Sequence, residues 1–220
     1  MTRPGRWVDP YAGMPGRRLF VATPLPEGAS DAVKGIVDAV RAQALPEGAH
    51  DVRWVRLDGL HLTLRFLGPT PDDRLGPTLD SVARVAASSP PIEAELGGAG
   101  TFPPVGRPRA LWIGLVSGGD GLSTLARRLG TELSLAGWPA DERPFRAHLT
   151  LARSDGISVG RLVADRLVAA MGDGRIPLPI DRIGVFESIT GGGPARYVPV
   201  VAFDLAGPAS GHAVYHPDTP

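Results

Sequence analysis

The sequence predicts an α+β fold of two lobes around a central cleft, each lobe built on a mainly antiparallel sheet flanked by helices. Three observations carry this. Segments of strand and helix period alternate along the chain, short links join neighbouring strands, and one pattern of strand, helix and histidine strand occurs twice. RRLFVATPL (17–25) is a continuous apolar run of strand character, and residues 29–42 place Ala29, Val33, Ile36, Val37 and Val40 at helical spacing. VRWVRL (52–57) and HLTLRFLG (61–68) read as strands. Residues 72–87 read as a helix that starts at Pro71-Asp72-Asp73 and carries Leu75, Leu79, Val82 and Val85 on one stripe.

A strand near 91–97 follows, then a Gly/Pro loop (GGAGTFPPVGRPR, 97–109), a strand ALWIGLV (110–116) and a helix over 120–136. FRAHLTLAR (145–153) is the next strand, 160–171 the last helix, and strands near 178–188 and 196–205 close the fold. The links at 58–60 and 189–195 are short enough for antiparallel hairpins, which favours α+β over a doubly wound parallel sheet. The GGG at 191–193 sits between two strands, so it is not a phosphate loop opening a helix. Residues 1–16 and 206–220 are rich in Pro, Gly and small polar residues and read as flexible tails around a domain at 17–205.

The internal echo is the informative feature. LFVAT (19–23), a helix and HLTLRFL (61–67) return as LWIGL (111–115), a helix and HLTLAR (148–153). Such a duplication builds two similar lobes about a pseudo-twofold axis, each offering one histidine to a shared cleft.

Composition narrows the chemistry. With 220 residues, 43% of them hydrophobic, the chain can bury one sizeable core. It has no cysteine, which excludes disulfides, thiolate nucleophiles and zinc ribbons. No apolar run is long enough to span a bilayer and the first residues lack a signal-peptide stretch, so a cytoplasmic address without membrane partners is expected. A net charge of zero argues against gripping long duplex nucleic acid, while a short RNA end remains allowed. Of the 23 basic residues all but Lys34 are arginine, whose fork suits phosphate, although GC-rich coding explains most of that bias.

Strand parity identifies the chemical residues. Within His61-Leu62-Thr63-Leu64 and His148-Leu149-Thr150-Leu151 the histidine and threonine share one face and the leucines the other. Two such strands side by side present two imidazoles and two hydroxyls to one small anion. One neutral imidazole takes a proton from water, a protonated one gives a proton to the leaving oxygen, and the hydroxyls donate to the phosphate oxygens. A lone histidine in such a strand is more often a capped, half-buried residue. Two identical HLT triplets among five histidines outweigh that reading.

At this point the chain resembles RNA 2′,3′-cyclic phosphodiesterases of the 2H phosphoesterase superfamily, formerly described as 2′-5′ RNA ligases. The resemblance rests on both HLTL motifs, RRLFVATPL, the Trp54 strand, the TFPP loop before LWIGL, and ESITGGGPARYVPV, and covers about residues 17–205. It implies a bilobal α+β fold and metal-independent hydrolysis of RNA or nucleotide 2′,3′-cyclic phosphates to 2′-phosphates, with no cofactor. It also implies that His61 is the proton donor and His148 the acceptor. Ala147 stands where the family commonly has proline, a difference of local rigidity.

Two arginines compete for the phosphate. Parity favours Arg65, four residues after His61, whereas the family pattern HxTLxR favours Arg153, five after His148, which reaches that face only if the strand ends or bulges. Phe20, Phe102, Trp112 and Tyr197 are candidates to stack on a terminal base. Phe20 and Trp112 read better as packing, and Phe102, in its Pro-flanked loop, as the stacker. Glu187-Ser188 reads as a satisfied surface pair. His50, His212 and His216 read as non-functional, because Gly and Pro around HAVYH oppose the helix that metal binding at that spacing requires. A monomer acting on RNA 3′ ends is expected. The alternatives are 2′-5′ ligation, cleavage of 2′-5′ oligonucleotides or a cyclic-phosphate metabolite, and a non-catalytic RNA-end binder.

Overall fold

The computed structural model describes residues 15–141, 144–154, 159–191, 193–206 and 213–214. Its strands are β1 (Arg17–Pro24), β2 (Arg53–Trp54), β3 (His61–Thr70), β4 (Ile92–Phe102), β5 (Ala110–Ser117), β6 (Leu149–Arg153), β7 (Ile176–Ile180), β8 (Arg182–Ile189), β9 (Arg196–Asp204) and β10 (Ala213–Val214). They form two five-stranded sheets ordered β10-β9-β8-β1-β3 and β2-β6-β5-β4-β7, in which every pairing is antiparallel. The predicted α+β class holds. The helices are α1 (Glu27–Arg41), α2 (Asp72–Ala87), α3 (Gly119–Leu135) and α4 (Gly160–Met171), within two residues of their expected bounds.

Each histidine strand lies beside the first strand of its repeat, β3 on β1 and β6 on β5, as the echo requires. The helices do not stay with their repeats. α1 follows β1 yet packs against α4 and β7 of the second sheet, and α3 follows β5 yet packs against α2 and β3 of the first. A single apolar core containing Leu19, Val21, Val33, Leu62, Leu111, Leu129, Leu149 and Leu167 therefore runs through both lobes.

Several expectations are corrected. The link at 58–60 is not a hairpin, because Leu57–Gly59 forms one 3-10 turn that carries the chain from β2 in the second sheet to β3 in the first. The strand expected at 52–57 is pared to Arg53–Trp54: Asp51 accepts from the Val52 amide and the Trp54 indole at its start, and the chain leaves for the other lobe after Val55. The single strand expected at 178–188 is two strands in different sheets, broken at Asp181. Pro177 and Pro179 are tolerated in β7 because it is an edge strand whose Ile176, Leu178 and Ile180 alone point inward. The GGAG segment read as loop is strand, since a bulge at Gly98, whose φ is +64°, lets β4 continue along β5 to Phe102. Most of the two expected tails lies outside the described residues, but Ala213–Val214, inside the 206–220 segment, pair with the edge of β9.

The feature that positions the site is a matched pair of β-bulges. In β3 the partners of Val21 and Ala22 are Arg65 and Thr63, so Leu64 is the extra residue; in β6 the partners of Leu111 and Trp112 are Ala152 and Thr150, so Leu151 is. After each bulge the alternation is inverted. The residue four after each histidine, Arg65 or Ala152, turns inward with the leucine before it, and the residue five after, Phe66 or Arg153, joins the histidine's face. Parity thus misassigned Arg65. It is only 9% exposed, and its guanidinium donates to the Pro139 carbonyl and pairs with Asp141 at 3.4 Å. Arg65→Ala is therefore expected to lower stability by about 1–3 kcal/mol, from the lost buried hydrogen bonds and packing, and to depress Tm by several degrees in thermal denaturation. An unchanged Tm would refute this structural assignment.

Candidate active site

β3 and β6 adjoin although they belong to different sheets, which brings the two motifs together. On the shared side β3 offers His61, Thr63 and Phe66, and the second motif offers Thr150, Arg153 and His148, which immediately precedes β6. The intervening leucines Leu62, Leu149 and Leu151 are fully buried, so the core fixes the face on which the polar residues stand.

Both imidazoles are held in the same way. His61 Nδ1–H donates to the Gly59 carbonyl at 2.8 Å, and His148 Nδ1–H donates to the Arg146 carbonyl at 2.7 Å. A carbonyl only accepts, so each Nδ1 keeps its proton and each Nε2 is left to gain or lose one. Tyr197 meets His61 edge-on at a ring distance of 4.7 Å, and Phe102 meets His148 edge-on at 4.9 Å. Phe20, buried beneath His61, packs at 4.8 Å from it. Trp112 backs Phe102 at 5.3 Å and lies flat across β4 and β5, where a Cβ on Gly100 would come within 2.6 Å of the indole.

Burial pushes both histidines below the ordinary imidazole range, against the opposing pull of the carbonyls of Gly59 and Arg146. His61 is lowered further by the charge of His148, and His148 by Arg153. Burial raises the Tyr197 phenol, and the charges of Arg153 and Arg18 oppose that rise. His61, His148, Arg153, Arg18 and Tyr197 thus share one electrostatic neighbourhood. The Arg153 guanidinium makes no ion pair among the described residues, and neither threonine hydroxyl has a hydrogen-bond partner there.

The structure gathers His61, Thr63, His148, Thr150, Arg153, Tyr197 and Phe102 and leaves Arg65 on the opposite face. Arg18, Phe66 and Phe186 were missed. The alternation Arg18, Phe20, Ala22 against Leu19 and Val21 signals that β1 has a chemical face, but the run reads as uniformly apolar. Phe102 is the last residue of β4 and not a loop tip. Glu187 is paired with Arg17 at 2.7 Å, in keeping with its plain reading. His212 and His216 lie outside the described residues. Among the described residues no group of three His, Asp or Glu side chains is placed to hold a metal ion, and no helix is long and apolar enough to cross a membrane. An open recess of about 610 Å³ between α2 and α3 lies away from the motifs, and its Arg84 and Arg128 are bound to Glu132 and to Ser88 and Ser89.

Comparison with known proteins places this geometry in context. The chain is 32% identical over 136 residues, covering 62% of it and 72% of its relative, to an RNA 2′,3′-cyclic phosphodiesterase of Archaeoglobus fulgidus. It is 34% identical over 134 residues to one of Geobacillus stearothermophilus, where the match covers 61% of this chain but 41% of that longer protein. Among solved structures, TT0787 of Thermus thermophilus superposes with a TM-score of 0.68 at 27% identity, covering 86% of this chain and 98% of that one. E. coli LigT in apo form gives 0.64 at 26%, covering 87% and 98%. The model of the 2′-5′ RNA ligase superfamily matches residues 28–191, and this chain belongs to that family.

Proposed function

We propose that this protein hydrolyses RNA or nucleotide 2′,3′-cyclic phosphates to 2′-phosphates with its two histidines and without metal. The observation that carries the reading is the pair of imidazoles, each tied through Nδ1–H to a backbone carbonyl and each left with Nε2 as its titrating atom. The relatives named RNA 2′,3′-cyclic phosphodiesterase support the substrate class, and so does E. coli LigT, a fold relative solved with 3′-AMP and with phosphate.

In the forward step His148, neutral, accepts a proton at Nε2 from a water whose oxygen bonds to phosphorus. The bond from phosphorus to the ribose 3′ oxygen breaks, and His61, protonated, gives its Nε2 proton to that oxygen. The products are a 2′-phosphate and a 3′-hydroxyl, and exchange with solvent restores both histidines. The local charges support this direction. Beyond the burial that lowers both, Arg153 disfavours a proton on His148, as a base requires, while the one charge that lowers His61 is that of His148, which is absent when His148 is neutral. Thr63, Thr150 and Arg153 donate to the non-bridging oxygens as charge builds on them.

Incubated with excess chelator, the protein is expected to convert an RNA ending in a 2′,3′-cyclic phosphate to the 2′-phosphate, with His61→Ala and His148→Ala each slowing kcat by about 10²–10⁴-fold. Full activity in either variant, or a 3′-phosphate product, refutes the mechanism as written. Because both histidines are lowered from about 6.5, the singly protonated pair is most populated below that value. The bell of kcat/KM against pH should therefore have its maximum below about 6.5, falling on the alkaline side as the acid loses its proton; a maximum above pH 7.5 would contradict it. Arg153→Ala should reduce kcat/KM about 10–100-fold with Tm unchanged, the reverse of the Arg65→Ala pattern, as steady-state kinetics and melting on the same samples would reveal.

A further inference from the structure

We propose that Arg53 binds the phosphodiester on the 5′ oxygen of the nucleotide that bears the cyclic phosphate, so that the site takes the last two phosphates of an RNA strand. This rests on the activity proposed above and adds to it a subsite for the chain. Arg53 stands directly opposite Arg153 across the β2–β6 pair. Residues opposed in an antiparallel pair share a face, with Cβ atoms about 5 Å apart. The neighbours identify that face: Trp54 opposes the fully buried Ala152, and Val52 is buried too. Arg53 therefore stands on the cleft face beside Arg153, one strand nearer the edge of the second sheet. Arg109 borders Arg153 on the other side, but it precedes Ala110, the residue opposed to Arg153, so alternation turns it to the other face.

Two like charges directly opposed across a strand pair are destabilising. Elsewhere the fold answers its arginines with acids: Arg17 pairs with Glu187, Arg84 with Glu132 and Arg175 with Glu95. Neither Arg53 nor Arg153 has an ion pair or a hydrogen-bond partner for its guanidinium among the described residues, and both are exposed. The chain as a whole carries no net charge, so this excess is local. A charge on an edge strand such as β2 discourages pairing with other chains, but a carboxylate would do that and neutralise Arg153 as well. The sequence places a second cation there instead. Two anions a short distance apart satisfy such a pair, and successive phosphates of one strand are two such anions. The division of labour follows from position. Arg153 lies close enough to act on His148 and Tyr197, and with Thr63 and Thr150 it already supplies the non-bridging oxygens of the cyclic phosphate. Arg53, rooted one strand further out, is left for the next phosphate along the chain.

The test compares wild type with Arg53→Ala on three substrates: a nucleoside 2′,3′-cyclic phosphate with a free 5′-hydroxyl, a dinucleotide ending in the same group, and that dinucleotide with a neutral methylphosphonate in place of its phosphodiester. Arg53→Ala should lower kcat/KM about tenfold on the charged dinucleotide, through KM, and leave the other two unchanged. The slope of log KM against log salt for the charged dinucleotide should also flatten by about 0.7. An equal loss on all three substrates, an equal loss on both dinucleotides, or no loss overturns the assignment. Calorimetric titration with a dinucleotide ending in a 2′-phosphate needs no turnover. Arg53→Ala should bind it about tenfold more weakly than wild type does, and should bind the nucleoside 2′-phosphate equally well. If no substrate is hydrolysed, the titration still decides: the tenfold difference upholds the subsite and strikes only the proposed activity, whereas equal or absent binding overturns the subsite.

Discussion

The arrangement of the site depends on one backbone irregularity made twice, the extra leucine after each His-x-Thr triplet. A regular strand would send the fifth residue after each histidine to the core side and keep the fourth on the histidine's side. The bulge exchanges them. Each motif can then satisfy two demands within six residues: a deep leucine anchor, provided by consecutive inward residues such as Leu151 and Ala152, and an outward side chain beyond the threonine. In one lobe that side chain is Arg153 and in the other Phe66. The inward position opposite Val21 falls to Arg65, which fastens β3 to the 139–141 segment.

Much of this was legible in the sequence. The helices emerge from apolar stripes of 3.6 period, and the shared face of His61 with Thr63 and of His148 with Thr150 follows from parity within four residues, where no bulge intervenes. Legibility ends where register changes. A bulge leaves no composition signal in HLTLRF or HLTLAR, because the extra residue is an ordinary leucine, so Arg65 and Phe66 exchanged roles unseen. Membership of sheets is equally hidden. Nothing local in RIPLPIDRIGVF distinguishes one long strand from two that part at Asp181, since the choice is made by partners far away in sequence, β4 for one piece and β1 for the other. The aromatic supports failed to stand out for a related reason: Phe20 is buried and Phe186 half-buried as core residues are, and only the fold reveals that what they pack against is the imidazole of His61.

The electrostatics are built mostly from burial and backbone. Among the described residues no carboxylate lies against either histidine. The partner of each Nδ1–H is a neutral carbonyl, which fixes the tautomer and pulls the imidazole's affinity for protons upward less than an anion would. After burial, which is the largest influence on both, the two histidines differ in which cation lies nearby, Arg153 beside one and the other histidine beside its mate. Two nearly equivalent groups thus lie in unequal electrostatic surroundings, in part through the asymmetry of the fifth position.

The exchange of helices between lobes has a mechanical meaning. Because α1 leaves β1 to lie on the opposite sheet and α3 leaves β5 to do the reverse, the chain stitches back and forth across the cleft, and no single connection serves as a hinge. Spreading the halves would strain every stitch together and expose the common core, so the fold itself holds the two histidine strands in place relative to one another. For the same reason neither half could be excised as a working unit: each would carry a histidine strand and leave behind the helix that covers it.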